Sequence, residues 1–417
     1  MKRLLKTASV LSLIALPFGA HAQAPTDVSN FSPRLKLQSR YSLTDSYRAN
    51  ELDLITATAR FGMNYRYKNV FGTLEVQAGS ASEPDTSSTP ATTSSNGPQN
   101  LMQVRKASIG LDIIKSDPAT VSLIMGRDRL VGSVYYAPDA LTQILATNLD
   151  NVSSSTSSDG LGLKYAGKLD FGKLGAQVGM YNNLAVATQT TGAGWFGNSS
   201  IVAGDNSFAA APKTQSRAIQ AVASADIKVD EGNVEVRVAY GSQPNAVKSV
   251  TSAKLYTVTD VTNTEASLGY NYQEGAIRAG LWYQGVTTSK DSTGTLGNSS
   301  TVSYTASTTD NSQTITTIGV GLTGNTKLFS MTGFLADGDV LTYALGYQNA
   351  TGQYISSTRT LTTDMYNFGF GYMQGNFSIE LNYAATSANY SAYTNNDGVS
   401  NQDTASLVYL VGTLAVL

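Results

Sequence analysis

The sequence predicts an all-β chain: a transmembrane antiparallel β-barrel of 16–18 strands, with 18 favoured, joined alternately by short turns and long loops. Three observations predict it. Apolar residues recur at every second position in segments of strand length. The connections between segments fall into a short and a long class. No apolar run beyond residue 22 is long enough for a helix to cross a bilayer, which takes about 20 residues.

The alternation is plainest between Ile55 and Tyr67. Ile55, Ala57, Ala59, Phe61, Met63, Tyr65 and Tyr67 fall on one face, and Thr56, Thr58, Arg60, Gly62, Asn64 and Arg66 on the other. Successive side chains of a strand point to opposite faces, so one face here is apolar and the other charged. The pattern recurs at Leu35–Leu43, Val234–Tyr240, Ala266–Tyr272, Ile277–Tyr283, Tyr366–Tyr372 and Phe377–Tyr383.

In chain order the strands are expected at 32–43, 52–67, 70–78, 103–114, 119–127, 160–168, 171–181, 216–228 and 233–241. The second half follows with 255–272, 276–287, 312–323, 326–335, 339–349, 353–361, 364–373, 376–386 and 404–417. That makes eighteen. The pieces across 326–361 are short, and merging them gives sixteen.

Turn chemistry joins many of these in pairs: Lys68-Asn69, Ser116-Asp117-Pro118, Leu169-Asp170, Asp230-Glu231-Gly232, Gln273-Glu274-Gly275, Gly324-Asn325 and Gln374-Gly375-Asn376. Between the pairs lie long polar segments at 79–100, 128–158, 183–213, 242–254, 287–311 and 387–403. Tight turns at one end and long loops at the other are the asymmetry of an outer-membrane barrel. Aromatic residues cluster at the short turns: Tyr65, Tyr67 and Phe71; Tyr165 and Phe171; Tyr270 and Tyr272; Tyr372 and Phe377. Such a row reads as an interfacial girdle. A soluble sandwich or propeller would also alternate, but its turns would not sort into two classes.

The N-terminus sets the compartment. Lys2, Arg3 and Lys6 precede an apolar stretch from Ala8 to Phe18 and the small-residue pattern Ala20-His21-Ala22. This is the layout of a cleaved secretory signal peptide over residues 1–22, leaving 23–417 as one barrel domain. Cleavage after Ala24 would also satisfy the small-residue rule, but would leave Pro25 next to the scissile bond.

Composition excludes several classes. With 28 basic and 30 acidic residues, the chain has no basic excess for a nucleic acid to recognise. There is no cysteine, and the one histidine, His21, falls in the segment to be removed. The mature chain then lacks the usual general base, the Ser-His and Cys-His nucleophile pairs and nearly all zinc and haem ligands. No enzyme, cofactor or metal site is expected.

Charge collects instead on the polar face. Arg34, Lys36 and Arg40 alternate with Leu35, Leu37 and Tyr41, and Arg60 and Arg66 oppose the apolar set of the next strand. Lys106 and Lys164 take the same face further on, as do Glu75, Glu235, Arg237, Arg278 and Glu380. A charge facing lipid costs about 2–4 kcal/mol at the bilayer midplane, so these groups are expected to line an aqueous interior.

Segment 128–158 differs from the other loops. It follows the fifth strand and runs from Arg129-Leu130-Val131-Gly132 through Tyr135-Tyr136-Ala137-Pro138-Asp139. It continues into Ala140–Ala146, which has helix-forming residues and no glycine. With that loop in place, the whole mature chain resembles the general diffusion porins of Gram-negative outer membranes and their substrate-specific relatives. The resemblance implies a homotrimer of sixteen- or eighteen-stranded barrels, in contact with outer-membrane lipid and lipopolysaccharide, that passes ions and small hydrophilic solutes. It also implies that segment 128–158 narrows the lumen. Asp139 and Asp150 would then be the constriction acids facing a basic wall of Arg34, Lys36, Arg40, Arg60, Arg66 and Lys106. Family members usually end in Phe or Trp, whereas this chain ends Val416-Leu417. A surface adhesin or receptor with a closed lumen is the alternative.

Overall fold

Sixteen antiparallel strands close a ring, and two further short strands extend it on the side of the long loops. In this computed structural model residues 30–42, 55–81, 99–129, 157–181, 217–252, 255–272, 277–296, 302–306, 312–326, 340–354, 360–391 and 402–416 are described. The first half comprises β1 (Asn30–Ser42), β2 (Ile55–Tyr67), β3 (Val70–Ala81), β4 (Gln99–Lys115), β5 (Ala119–Arg129), β6 (Ser157–Leu169), β7 (Gly172–Tyr181), β8 (Ala218–Val229) and β9 (Gly232–Ser252). The second comprises β10 (Leu255–Tyr272), β11 (Ile277–Thr288), β12 (Ser292–Leu296), β13 (Val302–Ala306), β14 (Gln313–Thr326), β15 (Val340–Tyr354), β16 (Thr360–Gln374), β17 (Phe377–Ser391) and β18 (Gln402–Val416).

Each strand from β1 to β10 pairs with the next, then β11 pairs with β10 and β14, and β14 through β18 continue to the seam with β1. At that seam Leu35 lies opposite Val416 and Ser42 opposite Tyr409. Closure matters because a backbone in hydrocarbon must satisfy every N–H and C=O internally, and a ring has no open edge. Strands β12 and β13 stand outside it: β12 pairs with the start of β10, and β13 with β12.

The alternation read from the sequence is the division between the two faces. Phe61, Met63, Leu163, Val178, Leu281, Val320, Leu345, Phe368 and Leu381 are exposed on the outside, while Ser108, Asp112, Ser122, Gln284, Thr317 and Asn382 are buried on the inside. Tyr65, Tyr165, Phe171, Tyr270 and Phe377 are exposed beside the short turns. Tyr240, Tyr283, Tyr347 and Tyr366 form a second outward row toward the long loops. Just beyond that band the outer face turns polar. Arg127 Nε donates to Asp159 Oδ1 at 3.1 Å, and Asp364 Oδ1 accepts from Tyr347 Oη at 2.7 Å and Asn349 Nδ2 at 2.9 Å.

Several strand boundaries differ from the expectation. Gly324-Asn325 is not a turn: both lie in β14, opposite Tyr343 and Thr342 of β15. Ladders on both sides of β14 outweigh the local turn preference of a Gly-Asn pair. The expected strand at 326–335 falls, beyond Thr326, outside the described residues. Of the expected strand at 353–361, residues 353 and 354 end β15, residues 360 and 361 open β16, and 355–359 lie outside the described residues. Much of the polar stretch 242–254 belongs to β9, held by Tyr256, Thr257 and Val258 of β10. The expected loop 287–311 contains β12 and β13. The count therefore stays within sixteen to eighteen, with sixteen in the ring.

Two tight turns show why they form where they do. Lys68 (φ 51°) and Asp230 (φ 49°) occupy the left-handed region in the two-residue loops of the β2–β3 and β8–β9 hairpins. Such loops need positive φ to match the twist of the flanking strands. The turn after β6 is Asp170-Phe171, one residue later than expected.

Candidate functional site

The inner wall of the barrel carries the chemistry, and it starts with strands β1 to β4. Lys36 lies directly opposite Arg60, and Arg34 opposite Gly62, whose other neighbour Glu75 lies opposite Lys106. Arg34 is exposed to the interior, while Lys36, Arg60 and Lys106 are half-buried. Arg40 keeps the same register face, opposite Thr56 and Val411. With the Asn64 amide oxygen turned toward β1, it accepts from Arg34 Nε and Nη2 at 3.2 Å each, and its nitrogen donates to Thr73 Oγ1 at 3.2 Å. One guanidinium is thus held by a chain of neutral groups across three strands. Asp139 and Asp150 of segment 128–158 lie outside the described residues, as do residues 1–22.

Arg66 is paired with an acid. Its Nη1 donates to Asp112 Oδ2 at 2.7 Å, and Ser122 Oγ donates to Asp112 Oδ1 at 2.8 Å. The Asp112 side chain is 1% exposed, against 43% for Arg66. Beneath the arm of Arg66 lies Phe71, its ring centroid 5.0 Å from the guanidinium carbon. Phe71 therefore points inward, not into the girdle where its place beside a turn suggested. The reason is parity: it shares a face with Thr73 and Glu75, and its ring fills the space over Gly110, its cross-strand partner.

A second ion-paired sector stands on β8 to β11. Arg278 Nη2 approaches Glu235 Oε2 at 3.4 Å and Arg237 Nη2 approaches it at 3.9 Å. Arg278 on β11 and Glu235 on β9 meet across Asn271 of β10, whose Nδ2 donates to Glu235 Oε1 at 3.5 Å. Both sectors use the same device, a guanidinium spanning one strand to reach a carboxylate two strands away. Farther toward the long loops stands Glu265. It is 5% exposed and its Oε1 accepts from Asn263 Nδ2 at 2.6 Å and Gln284 Nε2 at 3.2 Å.

Two more inward aromatics repeat the Phe71 arrangement. Tyr181 lies over Gly160 and Gly179, accepting from Gln177 Nε2 at 2.8 Å, and Trp282 lies over its cross-strand partner Gly319. Glycine in a strand leaves room for a neighbour's ring, which covers the exposed backbone in return. Four more inward glycines, Gly269, Gly280, Gly321 and Gly346, lie directly opposite one another across β10, β11, β14 and β15. Outside this strip the wall is hollowed into an apolar depression of about 810 Å³ between Leu268, Leu281, Val320, Leu345 and Phe368. Among the described residues no group of three or more His, Cys, Asp or Glu is placed to hold a metal ion.

The sequence reading missed Asp112, Glu265 and Trp282. Asp112 was legible as the polar step two residues after Gly110 and four after Ser108 on the inward face. The amide donors of Glu265 come from its own strand and its neighbour, so only the register reveals them.

No protein-family model matches the chain, and no curated protein does so. Solved structures match over nearly the whole length. OmpT, an outer membrane protein of Vibrio cholerae in its trimer form, matches with a TM-score of 0.51 at 12% identity. That match covers 94% of this chain and 100% of that one. OprB of Pseudomonas putida matches with a TM-score of 0.50 at 11% identity, covering 93% and 94%. The fold is thus the antiparallel β-barrel that OmpT and OprB also have.

Proposed function

We propose that this protein is an outer-membrane porin, a water-filled pore through which ions and small hydrophilic solutes diffuse passively. The observation that carries this reading is the closed sixteen-strand ring with an apolar outer face and a polar, charged inner one. Such a wall is stable only with lipid outside and water or polar groups inside, since each misplaced charge costs about 2–4 kcal/mol at the midplane. Arg34, Lys36, Arg40, Arg60, Arg66 and Lys106 form its basic wall, and Asp139 and Asp150 of segment 128–158 are the acids set against it. Residues 1–22 direct export and are removed. The pore assembles as a homotrimer among outer-membrane lipid and lipopolysaccharide, and performs no catalysis.

The test is single-channel conductance of the purified mature protein in a planar bilayer, with reversal potentials in a salt gradient. Stable steps, in threes for a trimer, support the pore. Folded protein that gives no steps rejects it. One observation favours a second reading, a receptor barrel with a closed lumen: Trp282, Thr317 and Gln348 on the inner wall are only 2%, 0% and 1% exposed. That reading gains if the folded protein is silent.

A further inference from the structure

We propose that the apolar depression on the outer wall is a lipid site, which seats one acyl chain of an ethanolamine phospholipid whose ammonium group donates to Asp364 on β16. The proposal rests on the barrel's lying in a bilayer and not on its conducting, and it names a partner for the outer face.

Three observations carry it. The first is the shape of the depression. Leu268, Leu281, Val320, Tyr347 and Tyr366 lie directly opposite one another across β10, β11, β14, β15 and β16, and line it along one side. A second outward row, from Tyr270 through Ala279 to Phe368, lines the other side. Between the two rows runs the glycine strip, which puts no side chain behind the wall and lets the backbone bow inward. The depression of about 810 Å³ is therefore a trough, four strand steps or about 19 Å long.

The second is depth. Leu268 lies four residues from Tyr272, at the short-turn end of β10, and Tyr366 lies eight from Gln374, at the short-turn end of β16. The trough thus climbs from the aromatic row beside the short turns to the tyrosine row toward the long loops. Strands of such barrels tilt by about 35–45°, so the climb is roughly 12 Å, close to one leaflet of a hydrocarbon core about 30 Å thick. A long apolar hollow at that depth fits a chain of methylene groups.

The third is the polar group at the upper end. Tyr347 Oη donates to Asp364 Oδ1 at 2.7 Å, and Asn349 Nδ2 donates to the same oxygen at 2.9 Å. Among the described residues Oδ2 accepts from no donor. The cross-strand neighbours of Asp364 are Asn349 and Ser387, neither of them a cation. A half-buried carboxylate at the head of an apolar trough matches an amphiphile with a cationic N–H donor where its chain begins. An anionic head is repelled there, and an apolar barrel face laid over the site would bury the carboxylate without a partner.

The experiment places one reporter tryptophan in the trough, Leu281→Trp, and another on the exposed apolar face of β6, Leu163→Trp. Each protein is reconstituted in phosphatidylcholine bilayers containing brominated phosphatidylethanolamine or brominated phosphatidylglycerol. Quenching of the added tryptophan is read against the chain without it. In the trough, half-maximal quenching is expected at a mole fraction about threefold or more lower with the ethanolamine lipid than with the glycerol lipid. Asp364→Asn should bring the two lipids level, and Asp364→Lys should reverse their order, which loss of packing alone does not do. The β6 reporter should not distinguish them. Equal quenching in the trough overturns the assignment, as does a preference that survives Asp364→Asn, fails to reverse with Asp364→Lys, or is as large at β6. A trough reporter quenched by neither lipid, beside a β6 reporter quenched by both, also overturns it and leaves a second copy as the occupant. If neither reporter is quenched, the membrane reading itself fails.

Discussion

Arg66 on β2 donates to Asp112 on β4 at 2.7 Å, reaching over β3, the strand between them. The contact turns one member of the expected basic wall into half of an ion pair whose acid is out of water. A hydrogen bond to a charged group contributes about 1.5–3 kcal/mol, here reduced because the guanidinium is 43% exposed. Arg66→Ala is therefore expected to lower barrel stability by about 1 kcal/mol in urea titrations of protein folded into liposomes. It should also move the reversal potential toward cations by uncovering Asp112. Adding Asp112→Asn should remove most of that selectivity shift; if the double variant stays as cation-preferring as the single one, Asp112 is not its source.

Arg60 makes the complementary case. Arg60→Gln removes a cation whose cross-strand neighbour is another cation, Lys36, so relief of repulsion offsets part of any lost contact. Stability should change by less than about 1 kcal/mol while selectivity moves toward cations. A large loss of stability with no change in reversal potential would make Arg60 a structural residue.

The Phe71 ring occupies the space that a side chain at position 110 would need. Gly110→Ala is expected to cost about 1–3 kcal/mol, visible as a lower urea midpoint. Phe71→Ala in the same chain should restore much of it, because the methyl group then has room. Independent, additive losses from the two substitutions would show that the ring does not depend on the glycine.

The outer face separates by depth. Leu345→Arg, in the middle of the exposed apolar band, is expected to cost about 2–4 kcal/mol, and Asn349→Arg, in the polar zone toward the long loops, about 0–1. Equal costs would place the bilayer elsewhere on the barrel.

Strands β12 and β13 contribute nothing to the closed ring. Replacing residues 292–306 with a short Gly-Ser linker should leave single-channel conductance within the wild-type range. Loss of folding would mean that the hairpin braces the end of β10.

The architecture was readable in the sequence because one physical rule dominates it. A wall between lipid and a polar interior forces period two on every strand, and Ile55–Tyr67 obeys it without exception. Strand edges were less readable where local and non-local preferences compete. Gly324-Asn325 and Gly352 look like breaks, yet their neighbours on both sides supply ladder bonds that local chemistry does not anticipate. The inner wall was legible as a set of charges but not as a set of partners. Alternation put Arg66 and Glu235 on the inward face, while the acid that Arg66 reaches and the arginine that reaches Glu235 lie two strands away. Phe71 shows the opposite error, since its place beside a turn suggested the girdle and its parity with Glu75 sent it inside.

The seam between β1 and β18 joins residues 35–42 to residues 409–416, the two extremes of the described chain. Among the described residues no strand pairing joins positions more distant in sequence, and the loop closed by such a pairing carries a large entropic penalty until neighbouring strands are in place. A chain cut short before residue 402 has fifteen strands of ring and two raw edges, each an invitation to pair with another unfinished copy. The ring thus depends on β18, whose pairings with β17 on one side and β1 on the other close it.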